Sequence, residues 1–520
     1  MKRDLRNIIS ATMILGLALP GLILAQYDIP TAVIGGGGGV SSSTSYQLSG
    51  TVGIPAGGIG LSSTSYELDG GFWPTVQALT AGLEGVLVIG PDVTDDYATF
   101  GEAVSDLEAS GVSGAVTFQV KAGTYTEQVS IPLIGGVSTT NTITFEPHPD
   151  NSGADVVLTY SPTTNPWIVD LYGAQHITIK GLKLVYDPFA TVMGNAISIT
   201  QNVDNITILN NTIEAYAGTI STDEVYNSAA AAGIFISSTT GNVPDNVTVR
   251  GNTIKWGSCA VWAAGMSNER MTGIVIEHNT VVDPVNGGIH VDYADGPNIS
   301  FNSITTNIST VYTGFYGVSA LRSINNILIN GNDVDVVNGG IGLHMNTSGG
   351  GSSQVLHAKM VNNVVHTGGT GWSQGVKINA LQQPYSFWDV YHNTIEVTGT
   401  SPDQGIAFWH VGAPDNYSLN LKNNIFANPG GGYAIRFYEV LDIATSDYND
   451  IWSTRSDMID VFGTTYDLAG FQMYTGAHDY NSLSTDPQFV NPVAGDYHLQ
   501  GSSPLIGKGD ASVAVAPVDT

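Results

Sequence analysis

Six short strands in the second half of the chain carry side chains able to move protons and hold charge at a repeated offset. They read GGIHVDY (287–293), GVSAL (317–321), GGIGLHM (339–345), GVKIN (375–379), GIAFWH (405–410) and YAIRFYE (433–439). Aligned on the first apolar residue, they place Ile289, Val318, Ile341, Val376, Ile406 and Ile435 on an inner face. Strand alternation then points His290, Ser319, Gly342, Lys377, Ala407 and Arg436 outward. Two residues further on, Asp292, Leu321, His344, Asn379, Trp409 and Tyr438 form a second outward column, with Trp262 as an earlier member. At the spacing of paired strands these residues share a surface about 25 Å long.

Tryptophan and tyrosine offer flat faces to the C–H surfaces of a sugar, and acids, amides and bases reach its hydroxyls. Trp262, His290, Asn379, Trp409 and Tyr438 are therefore the candidate substrate-binding residues. Elimination at a uronic acid needs a base for the C5 proton and positive charge on the carboxylate. Lys377 or His344 is the candidate base. Arg436, or a calcium ion on Asp292, is the candidate neutraliser, with Arg322 one position beyond its strand. A glycosidase needs two carboxylates flanking the bond. Only Asp292 falls on this face, with Glu439 at its edge, so a lyase is favoured over a hydrolase. The competing expectation is a non-catalytic cell-surface or adhesion scaffold, with the same residues scattered and solvated. A one-residue slip would turn a strand over and remove its members from the surface.

The elements that must position this face are repeats. Nine times between residues 205 and 451 an apolar–x–apolar strand is followed by asparagine and another apolar residue, as in NITILNNTI (205–213) and NILINGNDV (326–334). The asparagines are Asn211, Asn252, Asn279, Asn302, Asn332, Asn363, Asn393, Asn424 and Asn449, in steps of 23 to 41 residues. Such a period indicates a stack of small units, none able to bury its apolar face alone. No amphipathic helix separates the strands, which excludes helical and leucine-rich repeats. Short strands with Gly, Asn and Asp turns fit a parallel β-helix, its asparagines hydrogen-bonding from coil to coil.

The expected class is all-β: a right-handed parallel β-helix with an N-terminal capping helix and a small N-terminal β segment. The helix is expected in Asp95–Ala109, where Phe100, Ala103, Val104 and Leu107 make one stripe. Residues 1–25 read as a signal peptide: Lys2, Arg3 and Arg6, an apolar run, then Ala25. Residues 26–83 form a Gly/Ser-rich β segment or linker, 84–130 the helix and first coil, 131–450 the coils, and 451–520 the terminal coils. A secreted, extracellular or cell-surface monomer is expected, without membrane insertion after cleavage.

The net charge of −29 argues against nucleic acid as a partner and favours cation-mediated contacts, so calcium is a candidate cofactor. Cys259 is the one cysteine, which excludes an intramolecular disulfide and suits a small core residue.

The repeated phrase, the opening GPDVTDDYATFGEAV with GTYTE at 123–127, and the ending DPQFVNPVAGDYHLQGSSPLIGKGD together resemble the pectin-lyase-like superfamily of parallel β-helix proteins. The resemblance covers roughly residues 84–510 and is strongest to secreted bacterial members. It is silent about chemistry, so polysaccharide as the partner rests on the outward-facing residues alone. The catalytic motifs of pectin methylesterases, polygalacturonases and pectate lyases have no counterparts here, so Glu127 within GTYTE is expected to be structural. An Asp-x-Asp-Gly phrase often follows such an ending, and a truncated C-terminus is an expectation from Val518-Asp519-Thr520.

Overall fold

The computed structural model describes residues 82–513 apart from 191, 219, 221–230, 238–240, 309–313, 347–355, 381–385, 402, 413–416 and 442, together with five strands between 28 and 68. The expected signal peptide and the last seven residues lie outside the described residues. Residues 1–81 and 82–520 are separate units. In the first, Asp28–Ala32, Gly38–Ser42, Gln47–Thr51, Ile59–Ser62 and Glu67–Leu68 pair antiparallel in chain order.

The second unit is a parallel β-helix of three sheets with 13, 12 and 13 strands. Coils contribute one strand to each sheet and pair in parallel with the coils before and after, except that the third sheet closes on an antiparallel pair, Ile459–Val461 with Thr464–Tyr466. The first sheet contains Asp204–Leu209 and Asp245–Arg250, the second Thr212–Glu214 and Thr253–Lys255, the third Cys259–Ala264 and Gly287–Asp292. Period-two patterning makes one side of most coil strands apolar. Stacking in register then builds interior columns, such as Ile208, Val249, Ile276, Ile299, Ile329, Met360, Val390 and Leu421. All eight are buried. Among the described residues no helix is long and apolar enough to cross a membrane.

The asparagine repeat occupies the turn between the first and second sheets. Each asparagine from Asn211 to Asn424 donates from its backbone N–H and from Nδ2 to the Oδ1 of the next, at 2.8–3.1 Å. The run ends on Ser482, whose Oγ accepts from the backbone N–H of Asn449. The residue before each asparagine carries the left-handed backbone: Asn210, Gly251, His278, Phe301, Gly331, Asn362, His392, Asn423 and Tyr448 all have φ of 53–67°. The two jobs are separate. Amide bonding selects asparagine, and the preceding position absorbs the turn.

Helix Phe100–Ser110 begins at Thr99, whose Oγ1 accepts from the backbone of Glu102, and ends at Gly111. Its buried stripe is Phe100, Ala103, Val104 and Leu107, with Phe100 stacked on Phe145 at 5.9 Å. Glu127 accepts from the N–H groups of Phe100 and Gly101 at 3.0 and 2.9 Å, so its carboxylate sits on the helix N-terminus. That accounts for the glutamate of GTYTE without catalysis.

Candidate functional site

The candidate face is the outer side of the third sheet. Pairing places Trp262, His290, Ser319, His344, Lys377, Trp409, Arg436 and Asp460 opposite one another on successive coils. A second column holds Asp292, Leu321, Asn346, Asn379 and Val411. The sequence alignment had the faces of the site residues right and two registers wrong. Leu343 and Phe408, not Ile341 and Ile406, align with Ile289, so His344 and Trp409 move into the first column. Trp262 belongs there too. A two-residue shift preserves the face.

Gly342 and Ala407 do not point outward. They belong to a corner column that includes Gly288, Gly317 and Gly375 and packs inward on the second sheet. A Cβ on Gly317, Gly342 or Gly375 would come within 2.1–2.3 Å of Val334, Val365 or Ile395. This close approach explains the glycine at the corner of five strands of the third sheet, at 233, 288, 317, 342 and 375. It also interrupts the alternation, because a corner glycine and the next residue both face in.

Side-chain contacts run from coil to coil. The Trp262 and His290 rings stack at 3.9 Å, and His290 Nδ1 lies 2.6 Å from Ser319 Oγ. His344 stacks on Tyr316 at 4.6 Å and meets Asn379 Nδ2 through Nε2 at 3.4 Å. Burial pushes both imidazoles down to about 3, reinforced by Arg322 at His290 and by Lys377 at His344. Both are neutral near pH 7. A ring this weakly basic is a poor general base, which separates His344 from Lys377 as candidates.

The charged candidates divide sharply. Asp292 is held by Arg322 through Nε at 2.9 Å and through Nη2, a two-point pair that occupies the carboxylate proposed for calcium. No group of three or more His, Cys, Asp or Glu side chains among the described residues could hold a metal ion. Arg436 donates from Nε to Asp460 at 2.5 Å and from Nη1 to the carbonyl of Asp403 at 3.3 Å, so its charge is largely compensated. Lys377 differs. Among the described residues no carboxylate pairs with it; its Nζ lies 4.4 Å from the centre of the Trp409 ring and 5.8 Å from that of Trp372. Burial lowers its pKa. Tyr438 is 42% exposed at the end of the strip, edge-on to Phe462 at 5.0 Å.

A cavity of about 160 Å3 opens on this face, lined in part by Trp262, His290, Tyr316, Ser319, Arg322 and His344. Sequence reasoning missed Tyr316 and Trp372. Tyr316 adjoins the corner Gly317 and Trp372 lies three residues before Gly375, both outside the window in which the strands were aligned. Asp460 was missed because its strand, Ile459–Val461, lacks the corner glycine that marks five of the others.

No family model matches the chain, and no curated protein matches it. Among solved structures, the GH136 lacto-N-biosidase from Eubacterium ramulus is 12% identical, over 72% of this chain and 67% of that one, with a TM-score of 0.45. The A-module of a mannuronan C-5 epimerase from Azotobacter vinelandii is 14% identical, over 75% and 95%, at 0.36. A mannuronic acid specific polysaccharide family 6 lyase from human gut microbiota is 10% identical, over 76% and 91%, at 0.35. The three stacked sheets make this chain a parallel β-helix protein.

Proposed function

We propose that the outer face of the third sheet binds an acidic polysaccharide and cleaves it by elimination at a uronate. The observation that carries this reading is Lys377: a half-buried cation without a carboxylate partner among the described residues, set against the faces of two tryptophans. Burial without an anion favours the free amine, as a general base near neutral to alkaline pH requires. Lys377 takes the C5 proton, the C4=C5 double bond forms, and the C4–O bond breaks with its electron pair passing to the leaving oxygen, which takes a proton from solvent. Arg436 remains the candidate donor to the substrate carboxylate, although it shares its charge with Asp460. The clustering of His290, His344 and Lys377 supports this reading over a scaffold with the same residues dispersed in solvent. The basic and apolar N-terminal pattern ending at Ala25 supports export to where such polymers occur.

The test is to incubate the purified protein with a panel of uronate polysaccharides, with and without calcium, and follow absorbance near 235 nm. A rise that Lys377→Ala abolishes supports elimination. No rise on any polymer, together with no retardation in affinity gels, leaves the scaffold as the working account.

A further inference from the structure

The outer face of the second sheet carries side chains that elimination at Lys377 does not use. On three successive coils, Asp333–Val336, Val364–Thr367 and Thr394–Val397 send Val334, Val365 and Ile395 into the core. Alternation then turns Asp335, His366 and Glu396 outward, and pairing sets them in one column. Thr398 follows Glu396 by two residues on the same face. Its backbone N–H donates to the Thr367 carbonyl at 2.9 Å, which carries the parallel pairing past the strand end.

Three of these side chains are joined in series. His366 Nδ1 lies 2.7 Å from Asp335 Oδ1, and its Nε2 lies 2.9 Å from Thr398 Oγ1. An ionised carboxylate only accepts, so Nδ1 carries a proton, and in the neutral ring Nε2 accepts from the threonine hydroxyl. An acid orients a base, and the base touches a hydroxyl. That is the order nucleophilic acyl transfer requires.

Access fits the same roles. The imidazole is 16% exposed, whereas Thr398 stands in solvent. Gly368 on the neighbouring coil keeps the hydroxyl uncovered. A Cβ there would lie 3.0 Å from Oγ1, and also 2.9 Å from the Val337 carbonyl oxygen.

We infer that Thr398, His366 and Asp335 form a second active centre, one that hydrolyses carboxylic esters. Thr398 Oγ1 attacks the ester carbonyl carbon while its proton passes to His366 Nε2. The C–O bond to the alcohol breaks, and the departing oxygen takes that proton. Water then attacks the acyl-threonine, His366 takes and returns one proton, and the acid leaves with the threonine hydroxyl restored. Asp335 is a positioning residue that holds the proton on Nδ1. This centre lies on a different sheet from Lys377 and works without it. An exposed hydroxyl meets an ester on a polymer as readily as a free one, so both are tested.

The full chain is incubated with p-nitrophenyl acetate, with an O-acetylated polyuronate, and with a fluorophosphonate probe. Released nitrophenolate and acetate measure turnover, and peptide mass spectrometry locates the probe. The unaltered protein is expected to hydrolyse at least one ester and to carry the probe on Thr398; which ester responds separates free from polymer-borne substrates. Thr398→Val, close to isosteric, and His366→Gln should each lower turnover about 100-fold or more and abolish labelling at position 398. Thr398→Ser keeps the hydroxyl and should retain both, which shows that the valine loss is chemical. Asp335→Asn should lower kcat by a similar factor through the wrong tautomer, with KM changed about twofold or less. Turnover that survives Thr398→Val, or a probe found only on other residues, overturns the centre. So does the absence of both turnover and labelling in the unaltered protein.

Discussion

The ammonium of Lys377 rests 4.4 Å from the centre of the Trp409 ring on the next coil. Several cations among the described residues are spoken for: Lys121 by Asp92 and Asp95, Lys180 by Glu146, Lys183 by Glu214, Arg322 by Asp292, Arg436 by Asp460. Lys377 has an indole face instead, which stabilises its charge less than a carboxylate would and leaves it open to an anionic ligand. Lys377→Ala is expected to lower the rate of elimination by about 100-fold or more. Lys377→Arg should retain binding of the polymer and fail to restore turnover, because a guanidinium is not deprotonated in proteins. Full activity in the arginine variant would remove Lys377 as the base.

The same assignment fixes a pH dependence. Burial holds the Lys377 pKa below the ordinary lysine value. The free amine is the active form, so kcat/KM should rise with pH and level off before the value near 10.5 that an exposed lysine would give. A rate that falls over this limb, or has no limb, would point to another group.

Asn363 tests what the amide stack contributes. Its Oδ1 accepts from the backbone N–H and Nδ2 of Asn332, both at 3.0 Å, and its Nδ2 donates to Asn393 at 2.8 Å. Asn363→Ala leaves buried donors on Asn332 without an acceptor and should cost about 3 kcal/mol or more. Its neighbour Asn362 takes the left-handed backbone at φ 56°. Asn362→Gly should therefore change stability by about 1 kcal/mol or less. Urea titrations of the two variants measure the contrast, and equal losses would contradict the division of labour within the turn.

The repeated asparagine phrase made the solenoid legible, because an in-register stack forces the same residue to recur at the same turn. The outer face was legible only in part. Alternation assigned His290, Lys377, His344 and Trp409 to the surface, yet it cannot see that Gly342 and Leu343 both turn inward at a corner. The columns of GGIGLHM and GIAFWH were offset for that reason. Long-range pairing was less accessible still. Arg322 lies 30 residues from Asp292 and Asp460 lies 24 from Arg436, and the spacing between coils varies too much for sequence to bring those partners together. The neutralisation of Asp292, which closes the expected calcium ligand, follows from such a pairing.

Glu127 separates a structural acid from a catalytic one. Its two oxygens each accept a backbone N–H at the start of helix Phe100–Ser110. Glu127→Ala should lower stability by about 1–2 kcal/mol and leave absorbance near 235 nm unchanged on any polymer the unaltered protein cleaves. Loss of turnover in a variant that remains folded would return Glu127 to the catalytic candidates.

Asp450 carries the clearest acid–base signature outside the candidate site. Burial pushes its carboxyl up to about 8, with Oδ1 accepting from the Thr485 N–H at 3.1 Å and Oδ2 without a partner among the described residues. In the unfolded chain the same group titrates near ~4. The folded protein therefore holds a proton that the unfolded chain has released between these values, and this contribution to stability falls as pH rises from about 4 to about 8. Above pH 8 the carboxylate is ionised in both states and the loss is complete. Asp450→Asn removes the titration and keeps an oxygen for Thr485. Its stability relative to the unaltered protein should increase between pH 5 and pH 8, by about 2–4 kcal/mol if most of the shift is realised. Paired urea titrations at the two values measure it, and a constant difference would mean that Asp450 ionises in the folded protein as it does in the unfolded chain.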